Sequence, residues 1–342
     1  MGRRLSVDAE LEREIEAFSR GVAERLARPY ADFAAGVRKQ ASKPEGAVSL
    51  GLAGTAPALL LEHDASVVVV LPGPPGELRR LWAHALEHPA VRAVLARAAP
   101  RSHRVLRFFG PTESSVAREL EAAGGEAEGM TATICARDRE IHVDLFFAPE
   151  AEPGARALEG ALTSAFADEL FAVDDERTVE ELVLEACRAS GLTLAAAESC
   201  TGGLVGARLT DVPGASGVFL GGVVAYSDES KRAQLDVPDE ILERFGAVSA
   251  ETALAMASGA RRRFGADVSV AVTGIAGPGG ATPGKPVGLV YTAVASPHGE
   301  ATETVVLPGD REAVRARATA LALHMLRRLL TQPGTPARGG HR

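Results

Sequence analysis

Three short stretches late in the chain hold the side chains best suited to chemistry. They read "AESCTGG" at 197–203, "YSDESK" at 226–231 and "TGIAGPGG" at 273–280, and each follows an apolar run typical of a strand. The first sets a serine and a cysteine before two glycines, and the second sets a tyrosine five residues before a lysine. The third offers backbone N–H groups and few side chains. Such residues suit attack on a carbonyl group or the binding of an anion.

In the first stretch, Ser199 and Cys200 fall on a predicted strand-to-helix turn. The N–H groups of the helix that follows can hold an anion or a developing oxyanion, and Gly202 and Gly203 let the backbone approach a ligand closely. The alternative is an ordinary helix cap, made by Ser199 or Thr201. Taken by itself, this heptapeptide favours the cap.

In the second stretch, Tyr226 lies at a strand end and Lys231 on the helix behind it. A lysine in a desolvated pocket has a lowered pKa and can take the proton of a serine hydroxyl. The alternative is a solvent-facing lysine on a charged helix. The chain has only three other lysines, Lys39, Lys43 and Lys285, and no asparagine, against abundant arginine. This scarcity favours a functional lysine only slightly.

The third stretch continues as "TGIAGPGGATPGKP" and fits neither the P-loop nor the dinucleotide-binding spacing. Phosphate binding by its backbone and a flexible connection both remain open. Arg311, Arg315 and Arg317 near the start of the last helix could also bind phosphate, although arginines on a solvated face are the alternative. No metal-binding spacing occurs in this region, and no histidine lies at these strand ends, so the sequence predicts neither a metal site nor a Ser-His-Asp triad.

The elements around these stretches alternate between strand and helix over residues 178–330. Thr178 and Glu181 form a capping-box pattern at the first helix. Predicted strands are "LTLAAA", "GGVVAYS", "DVSVAVT", "VGLVYTAVA" and "ETVVL", and predicted helices are "LVGARLTDV", "ESKRAQL", "AETALAMASGARRRFG" and a long one from Asp310. This order predicts a three-layer α/β/α domain with a mostly parallel sheet, in which ligands bind at the carboxyl ends of the strands.

The rest of the chain predicts two smaller α/β parts. Residues 1–100 read as an amphipathic helix, a long Pro- and Gly-rich stretch, a buried strand "SVVVVL" and a helix that begins at "LPGPPGEL", which together make a partial α/β domain. Residues 101–172 read as a small α+β module of three strands and two helices. The acidic "VDDER" at 173–177 marks the next boundary, and residues 331–342 are predicted to be a disordered tail.

Composition limits the classes of function. A length of 342 residues with 46% hydrophobic and 24% charged residues is typical of a folded, soluble chain of two or three domains. A net charge of -8 argues against direct nucleic-acid binding. Cys135, Cys187 and Cys200 are far apart, which argues against a zinc site, favours packing roles and fits a reducing compartment. No secretory signal or membrane span is visible, so we expect a cytoplasmic protein.

Read in order, the segments "AESCTGGLVGARLTDVPGAS", "FLGGVVAYSDESKRAQLDVP", "FGAVSAETALAMASGARRRFGAD", "AVTGIAGPGGATPGKPVGLVY" and "PGDREAVRARA" resemble the carboxy-terminal domain of the CinA family. This is the competence/damage-inducible protein family, whose corresponding domain is a nicotinamide-nucleotide amidase. The resemblance covers nearly all of residues 178–330. It implies metal-free hydrolysis of nicotinamide mononucleotide, a small-molecule nucleotide, to nicotinate mononucleotide and ammonia, with Ser199 as the nucleophile and Lys231 as its base.

The resemblance also implies a set of substrate-binding residues: Glu198, Thr201, Gly202, Gly203, Tyr226, Thr273, Gly274, Ala276, Gly277 and Arg315. Two open points remain. Glu198 could orient Lys231 or Tyr226, or only hold the turn. Asp228 stands where the family usually has asparagine, so it either caps the helix equally well or, if the amide contacts substrate, alters affinity or specificity.

The front half resembles the family as well. "RKQASKPEGA", "GTAP" and "LPGPPGEL" match the later part of its molybdopterin-binding-like domain, and residues 101–172 match its small KH-like linking domain. The earlier part, with a "TGGLGPT"-type loop, is not found, so we expect no ADP-ribose pyrophosphatase activity, which in the family uses a divalent metal. That activity and a non-catalytic competence or DNA-damage adaptor are the alternative functions. The resemblance further suggests a homodimer.

Overall fold

The computed structural model describes residues 2–64, 66–297 and 299–331 of the chain. The chain divides into two compact units with the boundary between Pro100 and Arg101. Apart from Thr331, the predicted disordered tail lies outside the described residues. A further division of the second unit near residues 173–177 stays a prediction.

The described residues of the first unit form five strands and four helices. Its first long helix begins where the Asp8 carboxylate accepts hydrogen bonds from the N–H groups of Glu10 and Leu11, and Pro75 begins the helix predicted after "LPGPPGEL". The elements are β1 (Leu5–Val7), α1 (Ala9–Arg25), α2 (Ala31–Gln40), β2 (Ser42–Pro44), β3 (Val48–Leu52), β4 (Pro57–His63), β5 (Ser66–Val70), α3 (Pro75–Glu87) and α4 (Pro89–Leu95).

Two predictions for this unit were wrong in detail. The Pro- and Gly-rich stretch contains β3 and β4, which pair antiparallel with each other, and β4 also pairs with β5. The apolar run at 66–71 does form a strand, but the strand is not buried, and Val70 is 51% exposed. The reason is its position at the edge of a three-stranded sheet in the order β3-β4-β5.

The second unit begins with the predicted α+β module, which has one strand more than expected. Its elements are β6 (Ser102–Phe109), α5 (Glu113–Ala122), β7 (Met130–Arg137), β8 (Glu140–Phe147), α6 (Glu152–Ala165) and β9 (Leu170–Val173). The four strands form an antiparallel sheet in the order β7-β8-β6-β9. The missed strand, β9, is too short to show a period of its own and is defined by its pairing with β6.

The remaining elements follow the predicted order, with α10 as an additional helix. They are α7 (Val179–Ser190), β10 (Leu194–Glu198), α8 (Leu204–Thr210), β11 (Phe219–Val224), α9 (Asp228–Leu235), α10 (Asp239–Phe245), α11 (Ala250–Phe264), β12 (Val268–Gly274), β13 (Leu289–Ser296), β14 (Gly299–Val306) and α12 (Arg311–Thr331). The capping box of Thr178 and Glu181 is present at the start of α7. This outcome confirms the α/β fold class.

These five strands form one sheet in the order β11-β10-β12-β13-β14. β11, β10 and β12 run parallel, whereas β13 and β14 join antiparallel. The parallel pairs are linked through helices, but only a loop connects β12 to β13 and only a hairpin connects β13 to β14. Parallel neighbours are usually joined by a crossover helix, and neither of these two links contains one, which agrees with the antiparallel arrangement.

Helices cover both faces of this sheet, and alternation along β10 divides its side chains between them. Leu194 and Ala196 pack in the core that also holds buried residues of α7, α8 and α12. Ala195 and Ala197 pack in the opposite core, with buried residues of α9, α10 and α11. The sheet is therefore the middle layer of an α/β/α sandwich.

The chain order of the strands reverses around β10. The chain passes from β10 to β11 on one side, and β12 then pairs with β10 on the other side. The carboxyl ends of these three parallel strands meet there, which is the topological switch point where open α/β sheets bind ligands. The three stretches singled out from the sequence follow these three strand ends.

Candidate active site

Ser199 is the first residue after β10 and lies at this switch point. Its backbone N–H donates to the carbonyl of Val272 in the neighbouring strand at 2.9 Å, so the backbone continues the sheet up to the serine. The residue is 7% exposed and lines a cavity of about 240 Å³. A fixed backbone and a side chain in a cavity suit a nucleophile that attacks a bound substrate.

Lys231 comes from α9 and is 1% exposed. Its Nζ donates hydrogen bonds to Ser199 Oγ at 3.2 Å and to the carbonyl of Ala225 at 3.1 Å. Burial lowers the pKa of the Lys231 amine, and the nearby charge of Asp228 opposes this shift in part. The two residues that the sequence proposes as nucleophile and base are therefore in direct contact, 32 positions apart in the chain.

Glu198 holds the turn that follows the serine. One carboxylate oxygen accepts hydrogen bonds from the N–H groups of Gly203 and Val205, and the other accepts from Gly206, at 2.9 to 3.1 Å. These are the unpaired donors at the start of α8, and no described residue other than these donates to this carboxylate. These contacts match the role of holding the turn rather than that of orienting Lys231 or Tyr226. A direct substrate contact by Glu198 stays a prediction.

The turn itself depends on two glycines in the left-handed region. Gly202 and Gly203 have φ values of 61° and 100°, which few other residues adopt without strain. Thr201 is fully buried, its hydroxyl has no hydrogen-bond partner in the described part of the chain, and its carbonyl accepts from Arg315 at 2.8 Å. These three residues shape the turn, and none of them lines the cavity.

Cys200 packs among the apolar residues of the adjacent core. Burial raises the pKa of its thiol to about 12, so the thiol stays protonated and is a poor nucleophile. Burial has the same effect on Cys187. Cys135, in contrast, is exposed, so the expected packing role does not apply to it.

The cavity beside Ser199 collects residues from all three predicted stretches. The loop after β12 forms one wall, the start of α9 another, and the turn between α10 and α11 a third. The lining residues are Ser199, Cys200, Tyr226, Asp228, Lys231, Ala247, Val248, Thr273, Gly274, Ile275, Ala276, Gly277, Gly279, Gly280 and Arg311. Tyr226, Thr273, Gly274, Ala276 and Gly277 were expected here from the sequence.

Arg311, rather than Arg315, is the arginine that lines the cavity. Its guanidinium donates to the carbonyl of Gly277 at 2.8 Å and to the hydroxyl of Tyr226 at 2.7 Å, so it joins two walls. Arg315 instead supports the turn through Thr201. Both arginines begin the same helix one turn apart, and their spacing in the sequence does not distinguish them.

The turn between α10 and α11, which forms the third wall, is held by hydrogen bonds from Thr273 and Lys285. Thr273 donates its hydroxyl hydrogen bond to the carbonyl of Ala247 at 2.7 Å. Lys285 Nζ donates to the carbonyls of Phe245 and Val248, each at 2.7 Å. The glycine-rich loop is therefore tied to the turn before α11, and the interpretation as a flexible connection is wrong for its Lys285 end.

Asp228 lines the cavity and does not cap α9. The cap is Ser227, whose hydroxyl accepts from the N–H of Ser230 at 3.2 Å. Asp228 is the first residue inside the helix, half-buried, and its side chain contributes to the cavity. Of the two possibilities left by the sequence for this position, the structure therefore rules out the capping role.

A second cavity, of about 400 Å³, lies between the α+β module and the helices α7, α8 and α12. It contains none of the three strand ends, and two of its prominent polar groups are already paired, because Arg208 contacts the Glu180 carboxylate at 2.7 Å. The smaller cavity holds Ser199, the proposed nucleophile, and Lys231, whose pKa is lowered, so it is the candidate active site.

The described residues contain no group of three or more His, Cys, Asp or Glu side chains placed to hold a metal ion. Within the same residues, no helix has the length and apolar character needed to cross a membrane.

The C-terminal part of the chain is a three-layer α/β/α sandwich with a buried contact between Ser199 and Lys231 at its switch point. The family model described as the CinA C-terminal domain matches residues 176–330. CinA-like proteins of Mycolicibacterium vanbaalenii and Mycobacterium tuberculosis are 42% and 40% identical, over 97% and 98% of this chain and 79% of each relative. The chain belongs to the CinA family of competence/damage-inducible proteins.

Among solved structures, a competence/damage inducible protein from Agrobacterium tumefaciens is 43% identical over 45% of this chain and 96% of its own, with a TM-score of 0.43.

Proposed function

We propose that this protein hydrolyses the carboxamide of nicotinamide mononucleotide and releases nicotinate mononucleotide and ammonia, a step of pyridine-nucleotide salvage. The observation that carries the proposal is the buried contact between Lys231 Nζ and Ser199 Oγ at 3.2 Å. The likeness of residues 178–330 to nicotinamide-nucleotide amidases gives the substrate.

In the first half of the reaction, the neutral Lys231 amine accepts the Ser199 hydroxyl proton while Oγ bonds to the amide carbon. The carbonyl oxygen becomes an oxyanion. The N–H group of Cys200 is the candidate donor to it, because Cys200 lines the cavity and no other described residue accepts a hydrogen bond from this group. Collapse of this intermediate breaks the C–N bond, and Lys231 returns the proton to the departing nitrogen as ammonia.

In the second half, water attacks the acyl-enzyme. Lys231 takes a proton from the water, the bond between the acyl carbon and Ser199 Oγ breaks, and the serine recovers its proton. Each proton moves between Lys231 and a neighbouring atom, so these steps need no metal. The low pKa of Lys231 supports this role because the amine must be neutral to start.

The decisive measurement is ammonia release from nicotinamide mononucleotide. We expect Ser199→Ala and Lys231→Ala to lower kcat by about 10³-fold or more, since each removes a group that acts in the transition state. Cys200→Ser should keep most of the activity. Undiminished turnover in either of the first two variants would rule out the proposed pair.

A matched control for Lys231→Ala is Arg232→Ala. It removes one positive charge from the next position of the same helix, where the side chain is exposed and pairs with Asp239. Its activity should stay close to that of the unsubstituted chain.

A further inference from the structure

Asp228 is the acidic residue of the candidate active site. Among the described residues that line the cavity, no other side chain is a carboxylate. It is half-buried, and no described residue forms a hydrogen bond or salt bridge with it. A partly buried carboxylate without a partner is costly, and a ligand with N–H donors would satisfy it.

The other polar side chains of the cavity are already engaged. Thr273 donates to Ala247, and Arg311 donates to Gly277 and Tyr226. Lys231 contacts the nucleophile and one backbone carbonyl. A ligand that enters the cavity therefore meets one charged group, Asp228, that has no fixed partner.

The helix places this carboxylate on the same side as the reaction. Asp228 and Lys231 are three residues apart in α9, so their side chains share one face of the helix. Lys231 on that face reaches the oxygen of Ser199. Asp228, Lys231 and Ser199 all line the same cavity, so the Asp228 carboxylate is accessible to a substrate bound there.

We infer that Asp228 is a specificity-determining residue that accepts an N–H of the substrate carboxamide and repels the carboxylate formed by hydrolysis. This inference rests on the proposed function. A carboxamide offers two N–H donors, whereas the product offers only acceptors and a negative charge. Asp228 therefore favours binding of the amide and release of the acid.

Binding of both nucleotides tests the inference without turnover. In a Ser199→Ala background, we would measure the Kd of nicotinamide mononucleotide and of nicotinate mononucleotide by calorimetry. Asp228→Asn should strengthen binding of the acid by about tenfold, because the charge repulsion is lost. Binding of the amide should change by less than about threefold, because the new side chain retains one acceptor oxygen.

Glu229→Gln is the matched control, since it removes one negative charge from the next position, where the side chain is 83% exposed. It should leave the ratio of the two Kd values unchanged. Asp228→Ser is a second test variant and should also tighten acid binding. An unchanged ratio in both Asp228 variants overturns the inference while leaving the proposed function in place.

The unsubstituted chain gives an independent measurement. Its product-inhibition constant for nicotinate mononucleotide should exceed the KM of the amide by about tenfold or more. An acid that inhibits at the KM of the amide contradicts the inference even without a variant. Absence of any turnover of nicotinamide mononucleotide by the unsubstituted chain overturns the proposed function itself, and this result is distinct from the others.

Discussion

At the scale of single residues, burial is what makes Lys231 suited to its proposed role. A lysine ammonium is costly to bury, so the cavity favours the neutral amine that a general base requires. An arginine would stay protonated in the same place. This explains why a chain that otherwise favours arginine has a lysine at this position.

The lowered pKa of Lys231 predicts the pH dependence of activity. Only the neutral amine accepts the serine proton, so kcat/KM should fall as pH drops through the lowered pKa, which lies below the ordinary 10.5 of lysine. Asp228 holds this pKa up in part, so Asp228→Asn should move the inflection to lower pH. Initial rates across the pH range check this. An inflection at or above 10.5 would be incompatible with a buried lysine base.

At the scale of elements, the short helix α8 depends on a carboxylate from the preceding strand. Glu198 is buried, and its carboxylate accepts hydrogen bonds from three backbone N–H groups. From the sequence, a glutamate at this position looks like a charged residue at the end of a strand. Only the fold shows that Glu198 accepts the free N–H groups at the N-terminus of α8. Ser199, the proposed nucleophile, lies in the chain between Glu198 and this helix.

Glu198→Ala should therefore lower the free energy of unfolding by about 2 to 4 kcal/mol, because one buried and two part-buried N–H groups lose their acceptor. Glu181→Ala is the comparison, since it also removes a carboxylate that caps a helix, but at the exposed start of α7. It should cost about 1 kcal/mol. Denaturant titration measures both, and equal losses would show that the Glu198 contacts contribute no more than an exposed cap.

Lys285 belongs to the loop between β12 and β13 and fixes a wall that it does not line. Lys285→Met should release the carbonyls of Phe245 and Val248, and with them the turn that contributes Val248 to the cavity. We expect a higher KM for nicotinamide mononucleotide, with a smaller change in kcat, because the Ser-Lys contact lies elsewhere. Lys285→Arg keeps a hydrogen-bond donor, so its KM should lie between those of the unsubstituted chain and Lys285→Met. A fall in kcat at constant KM would contradict a positioning role.

At the scale of the whole molecule, a buried polar contact ties the α+β module to the C-terminal sandwich. His324 of α12 is fully buried, stacks on the ring of Phe109 and contacts the Glu140 carboxylate through Nε2 at 3.0 Å. Burial lowers the pKa of His324 to about 4, although Glu140 opposes the shift. Burial alone would raise the pKa of Glu140, but hydrogen bonds from His142 and His324 hold it at about 2.

Both pKa shifts predict loss of stability in acid. The unfolded chain binds the His324 proton near its ordinary pKa of 6.5, so stability falls from about pH 6.5 toward pH 4, by about 3 kcal/mol for this group. Glu140 extends the loss from its ordinary 4.5 toward pH 2. His324→Leu should reduce the fall in Tm between pH 7 and pH 4, whereas the exposed His84→Gln should not. An identical Tm profile in all three proteins would contradict this prediction.

The sequence by itself determined the local elements and placed the candidate site residues at three strand ends. Neighbouring residues determine the strand and helix periodicities, the capping box and the glycine-rich turns. Most elements of residues 178–330 were therefore predicted in the right order. The family resemblance implied the pairing of Ser199 with Lys231, and the two side chains do contact each other at the edge where the parallel strands end. The homodimer, the cytoplasmic location and the absence of pyrophosphatase activity stay predictions.

Only the tertiary structure decided which side chains face the cavity. It showed that Arg311 rather than Arg315 lines the cavity, that Asp228 lines it too while Ser227 caps the helix, and that Glu198 accepts the N–H groups at the start of α8. It also set the antiparallel addition of β13 and β14. These features depend on helix phase and strand order across distant parts of the chain, and local patterns do not encode either.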